Sequence, residues 1–169
     1  MSGAVIWVTG LPSSGKSTFA SRAGRGLSAA GRSVLLLDGD EVRAALEPAP
    51  GYDPASRDAF YRTLARLAAL AARQGMVVLV AATAPRRAHR SFAREIAPRF
   101  VEVFLDVPVA ECARRDAKGL YARARAGELP NLPGAGEPYE APQAPDLVAH
   151  GGDDPRAVAG LLERVAAES

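Results

Sequence analysis

VTGLPSSGKSTF, residues 8–19, contains a complete phosphate-loop pattern: Gly10-Leu11-Pro12-Ser13-Ser14-Gly15-Lys16-Ser17 satisfies G-x-x-x-x-G-K-[ST]. Its surroundings agree. The apolar run AVIWVT (4–9) precedes it as a buried strand, and KSTFASRAGRGLSAA follows with helical spacing that closes at Gly31. Gly10 and Gly15 let the backbone N–H groups turn inward around anionic oxygens, and the helix start adds its positive end. Lys16 is placed to reach β- and γ-phosphates, and Ser17 to offer its hydroxyl to Mg²⁺. A bound ATP or GTP is expected.

Outward from this turn the same alternation continues. SVLLL (33–37), MVVLVAAT (76–83) and FVEVFLDV (100–107) are further apolar strands. Helical spacing occupies 54–74, 86–96, VAECARR (109–115) and 154–167, with Pro54 in the first turn of one helix and Gly75 just past its end. Continuous apolar strands alternating with helices predict an α/β fold of the P-loop NTPase type, a parallel sheet with helices on both faces. Residues 116–145, DAKGLYARARAGELPNLPGAGEPYEAPQAP, break the alternation with prolines and glycines and read as a lid. A single domain is expected over 1–169.

The chain has 169 residues, 48% apolar and 24% charged, the profile of a globular protein with a sizeable core. No apolar run approaches the roughly 18 residues that span a membrane. The first residues lack a signal-peptide pattern, so a cytoplasmic protein without a membrane partner is expected. Cys112 is the lone cysteine, which leaves no disulfide pair, and it is expected to be buried. Trp7 reads as core, His89 as solvated on a basic helix, and His89 and His150 are too isolated for a metal site. The net charge is only +2, and no basic–aromatic alternation suggests nucleic acid. Arginine so dominates the basic residues that the two lysines, Lys16 and Lys118, stand out. A compact ammonium is what arginine cannot supply.

A GTPase would carry a base-reading N-K-x-D segment, but the chain's one asparagine, Asn131, lies in the lid. A motor-type ATPase would end its third strand on a metal-bridging Asp; here that strand ends AAT, and Asp106 after the fourth strand is expected to cap the next turn. A small-molecule kinase remains. Asp38-Gly39-Asp40 directly follows the second strand, at the sheet edge where open α/β folds bind ligands. One carboxylate could orient or deprotonate an attacking hydroxyl and the other hold Mg²⁺ through water. Asp40 as the ordinary N-cap of EVRAAL is the competing reading. Arg43, one turn on, could grip an anionic substrate.

GLPSSGKST, LDGDEVR and above all CARRDAKGLYARARAGELPNLPGAGEPYEAP resemble the adenylylsulfate (APS) kinases, which transfer the γ-phosphate of ATP to the 3′-hydroxyl of APS to give PAPS. The resemblance runs through nearly the whole chain. It implies that Gly10, Pro12, Ser13, Ser14, Gly15, Lys16, Ser17 and Thr18 hold the ATP phosphates and Mg²⁺. It also implies that Asp40 lies near the 3′-hydroxyl as base or orienter and that Asp38 supports the metal. Arg43 and Arg57 would bind the phosphosulfate, and Tyr52 stands where the family has a Phe against the APS adenine. Thr83 would line the acceptor site, Lys118 would reach the phosphates with Arg123 or Arg125, and Arg114 or Arg115 would lie against the adenine of ATP. A homodimer is the implied assembly.

Departures cluster on the acceptor side. Where the family reads F-I-S-P-Y-R, this chain has Ala82-Thr83-Ala84-Pro85-Arg86-Arg87, so the serine described as a phosphorylated intermediate is Ala84 and direct in-line transfer is the open route. Phe60 replaces an Asn expected to hydrogen-bond the substrate, and Leu132 replaces a lid Phe. These changes keep open an alternative: a kinase of the same scaffold that phosphorylates a different hydroxyl acceptor, such as a nucleoside, a sugar or a specialised metabolite.

Overall fold

The computed structural model describes residues 2–167. Met1 and residues 168–169, the ends of the expected single domain, lie outside the described residues. Five strands, β1 (Ala4–Thr9), β2 (Val34–Asp38), β3 (Val77–Ala81), β4 (Phe100–Leu105) and β5 (Leu147–Ala149), form one sheet in the order β2-β3-β1-β4-β5. Every neighbouring pair is parallel, as the apolar runs predicted. The helices are α1 (Lys16–Ala29), α2 (Gly39–Ala45), α3 (Pro54–Arg73), α4 (Arg87–Ile96), α5 (Val109–Arg114), α6 (Leu120–Arg125) and α7 (Pro155–Ala167).

Strand periodicity divides the core in two. Ile6 and Val8 face one way, onto Phe19, Ala23 and Leu27 of α1 and Leu161 and Val165 of α7. Val5 and Trp7 face the other, onto Phe60, Tyr61 and Leu64 of α3 and Ala93 of α4. From β1 the chain crosses to β2, returns to β3, and then passes β1 to reach β4. The order therefore reverses beside β1, and the phosphate loop leaves the sheet at that reversal, where a crevice opens at the carboxyl ends of the strands.

Two elements were not expected. β5 has three residues and pairs with β4 alone, too short for a periodic signal. Helix α6 lies inside the lid: Asp116 accepts hydrogen bonds from the backbone N–H of Leu120 and Tyr121 at 2.7 and 2.8 Å, giving a six-residue helix its start. One competing reading falls and two expectations are corrected. Helix α2 is capped by Asp38, which accepts from the N–H of Asp40 and Glu41, so Asp40 is not the cap. Helix α5 opens behind Pro108 with no side-chain cap, so Asp106 does not fill that role. His89 is buried rather than solvated, because α4 packs its ring against Tyr61 of α3 with centroids 4.5 Å apart. There its Nε2 lies 2.7 Å from Asp58 Oδ1.

Candidate active site

The phosphate loop is shaped by two close approaches. At Gly15 the backbone takes φ +97, and a Cβ there would stand 2.6 Å from the Gly152 nitrogen. At Gly10 a Cβ would lie 3.0 Å from the Leu105 carbonyl oxygen. Ser13 also has a positive φ, 63, which turns its neighbouring N–H groups inward as a nest does. Helix α1 then starts with no side-chain cap and no acidic residue in its first turn. Its leading N–H groups are thus left for an anion. The buried Ser14 Oγ has no hydrogen-bond partner.

Lys16 folds back into this loop, donating from Nζ to the carbonyls of Gly10 and Leu11 at 3.1 and 2.8 Å. Burial lowers its pKa from 10.5 to about 8, against the pull of Asp40 and Asp38. The Ser17 hydroxyl donates to Asp38 Oδ2, while Asp38 Oδ1 caps α2. One carboxylate thereby ties the end of β2 and the start of α2 to the first turn of α1. Asp40, one residue into α2, pairs with Lys118 of the lid. That contact, chiefly its hydrogen bond, raises the Lys118 pKa.

Beyond Asp40 lies a wall of arginine and aromatic side chains. The Arg43 guanidinium lies over the rings of Tyr52 and Phe60, 4.3 and 4.1 Å from their centroids, and Nη1 donates to the carbonyls of Pro50 and Gly51. Arg57 lies 6.0 Å from the Tyr52 centroid and donates from Nη2 to the lid carbonyl of Asn131 at 2.7 Å. On the other side of the phosphate loop a cleft of about 480 Å³ is lined by Ser13, Gly15, Thr18, Arg115 and residues 150–155. A charged cradle with this cleft on one flank and an arginine-rich wall on the other can take a polyphosphate and a second anionic group.

Residues 2–150 match the adenylylsulphate kinase family. The chain belongs to that family. It is 48% identical over 147 residues to the adenylyl-sulfate kinase of Paraburkholderia xenovorans, covering 86% of this chain and 82% of that protein. It is 49% identical over 146 residues to the bifunctional enzyme NodQ of Azospirillum brasilense, where the match spans 85% of this chain but 24% of the larger protein. The APS kinase CysC of Mycobacterium tuberculosis, in complex with AMPPNP and APS, superposes with a TM-score of 0.87 at 40% identity, covering 99% of both chains.

Within this kinase fold the expected residues divide. Gly10, Pro12, Ser13, Ser14, Gly15, Lys16, Ser17 and Thr18 form or border the phosphate loop, with Asp38 against Ser17. Asp40, Arg43, Tyr52, Arg57, Phe60 and Lys118 gather around α2 and the start of α3, but Phe60 is buried and joins the group through Arg43. Thr83 contributes its carbonyl, which accepts from Thr9 Oγ1 at 2.6 Å at the sheet edge. Leu132 packs instead with Leu11, Val107, Cys112 and Tyr121, closing the lid onto the loop. Arg115 lines the cleft beside the phosphate loop; Arg114 lies outside its lining, exposed and paired with Glu111. Arg123 pairs with Glu128 within the lid, not with the phosphate loop.

Two tyrosines escaped the sequence reading. Tyr121 donates its hydroxyl to the Pro12 carbonyl at 2.8 Å, pinning the lid helix to the phosphate loop. Tyr139 lies 2.9 Å from Thr9 Oγ1 and is pushed up by burial to about 12. Both sit inside the lid motif, and only that motif could have marked them.

Proposed function

We propose that this kinase transfers the γ-phosphate of ATP to the 3′-hydroxyl of adenylylsulfate, giving PAPS and ADP by direct in-line transfer. One observation carries the acceptor: Arg43 and Arg57 are each 8% exposed, and no carboxylate pairs with either among the described residues. Buried guanidinium charge without a counter-charge is costly, so an anion at this wall offsets it. A phosphosulfate group satisfies that need, with Tyr52 beside it to meet an adenine face.

The reaction then uses what already converges. The attacking 3′-oxygen bonds to the γ-phosphorus as the bond to the β,γ-bridging oxygen breaks, and Asp40 accepts the hydroxyl proton. Lys16 and the N–H groups of the loop neutralise the departing charge. Arg115 and the 150–155 segment border the nucleotide base, and the lid excludes water as a competing acceptor. Ala84 offers no hydroxyl, which agrees with direct transfer.

Mg²⁺ fits the residues present. The Ser17 hydroxyl and Asp38 carboxylate are hard oxygen donors side by side, and among the described residues no group of three His, Cys, Asp or Glu could form a protein-only cage. Such a sparse set suits an ion held mainly by phosphate oxygens and water. When bound, the ion would neutralise charge on the β- and γ-phosphates. A homodimer belongs to the same reading, supported by the exposed pair Leu67 and Leu70 on α3, and sedimentation velocity tests it. A cytoplasmic setting accords with the absence, among the described residues, of a helix long and apolar enough to cross a membrane.

ADP release with ATP–Mg²⁺, with and without adenylylsulfate, tests the reaction beside an Asp40→Asn control. Adenylylsulfate-dependent turnover that the variant loses supports it. ATP binding without that turnover points to a different hydroxyl acceptor on this scaffold.

A further inference from the structure

Arg43 keeps its charge inside the protein without a carboxylate. Nη1 donates to the carbonyls of Pro50 and Gly51 at 3.1 and 3.0 Å, and the guanidinium carbon lies 4.1 Å from the Phe60 centroid. Phe60 is 3% exposed and cannot move aside, because Tyr61, Leu64 and Trp7 belong to the same packed cluster. It also stands one turn beyond Arg57 on α3, so one rigid helix presents both the second arginine and the ring that underlies the first. Tyr52, in contrast, is 58% exposed and free to adjust to a ligand.

We propose that Phe60 is a positioning residue for the acceptor: its ring face fixes the Arg43 guanidinium, so that the edge not bonded to Pro50 and Gly51 is presented to the acceptor's anionic group. This assignment rests on the proposed adenylylsulfate reaction. A ring quadrupole attracts the cation without using any of its N–H groups, whereas an amide at this place would compete for them. Pre-organisation of this kind acts on acceptor binding and leaves the phosphoryl step and the nucleotide side untouched.

The test is steady-state kinetics of the full chain with ATP–Mg²⁺ and varied adenylylsulfate, for wild type, Phe60→Leu, Phe60→Tyr, Arg43→Lys and the Arg43→Lys/Phe60→Leu double variant. Thermal melts confirm that each is folded. Phe60→Leu keeps the apolar packing but removes the ring face. It is expected to raise the KM for adenylylsulfate about fivefold, with kcat and the KM for ATP within about twofold. Phe60→Tyr is expected to restore the wild-type KM, and Phe60→Leu to add little once Arg43 is Lys. A folded Phe60→Leu with an unmoved KM, equal losses in the Leu and Tyr variants, or additive effects in the double variant would overturn the assignment. No adenylylsulfate turnover by the wild type would overturn the reading of the acceptor, and this assignment with it.

Discussion

At Lys16, burial outweighs the attraction of two nearby carboxylates and lowers the pKa from 10.5 to about 8. An unfolded chain holds that proton more tightly than the folded one. Stability of the nucleotide-free protein should therefore rise with pH between about 8 and 10.5 from this group. Polyphosphate beside the ammonium reverses the balance, so ATP binding near pH 9 should take up close to one proton. Calorimetry in two buffers of different ionisation enthalpy measures that uptake, and it should vanish in Lys16→Met. Asp38 and Asp40 teach a related lesson. Two carboxylates around one glycine were both read as catalytic candidates, but their partners differ: Asp38 faces Ser17 and the α2 backbone, and Asp40 faces Lys118. The chain-local spacing marked the pair without separating their directions.

Among the elements, the lid depends on anchors at its two ends. Helix α6 is joined to the phosphate loop by Tyr121, whose hydroxyl meets the Pro12 carbonyl in a region shared with Leu11 and Leu132. Tyr121→Phe removes one hydrogen bond worth about 1 kcal/mol, so the KM for ATP should rise about fivefold and lid proteolysis should quicken. The α3–α4 contact carries a pH dependence of the same origin in a lower range. Burial depresses the His89 pKa below its usual 6.5, although Asp58 pulls it upward. As pH falls below 6.5 the unfolded chain takes up a proton that the folded one resists, and stability should decline. His89→Gln keeps a donor for Asp58 and should flatten that acid slope in melting curves recorded from pH 7 to 5. Helix α4 looked solvated because its sequence is rich in arginine. Its partner Asp58 lies 31 residues away, and local spacing carries no record of it.

For the molecule as a whole, Arg90 links parts that the sequence keeps apart. It is 2% exposed, donates from Nε to Glu102 of β4 at 3.1 Å, and reaches the carbonyls of Ala84 and Glu140. The end of the lid is thereby bound to the loop after β3 and to the sheet. Arg90→Ala leaves Glu102 buried without its partner and should cost about 3–5 kcal/mol in urea denaturation. A double Arg90→Met/Glu102→Leu replacement should recover much of that loss. The phosphate loop, the parallel α/β plan and the bounds of four strands to within two residues were legible in the chain. These are encoded locally, by apolar periodicity, glycine placement and a contiguous motif. Only the packing settles that Arg43 rests on Tyr52 and Phe60, that Lys118 meets Asp40 across 78 positions, and that Arg115 rather than Arg114 lines the cleft beside the phosphate loop. Those contacts follow from the strand order β2-β3-β1-β4-β5, which brings loops distant in sequence to one edge of the sheet. No spacing along the chain specifies which side chains meet there, because that depends on how the helices pack across the sheet.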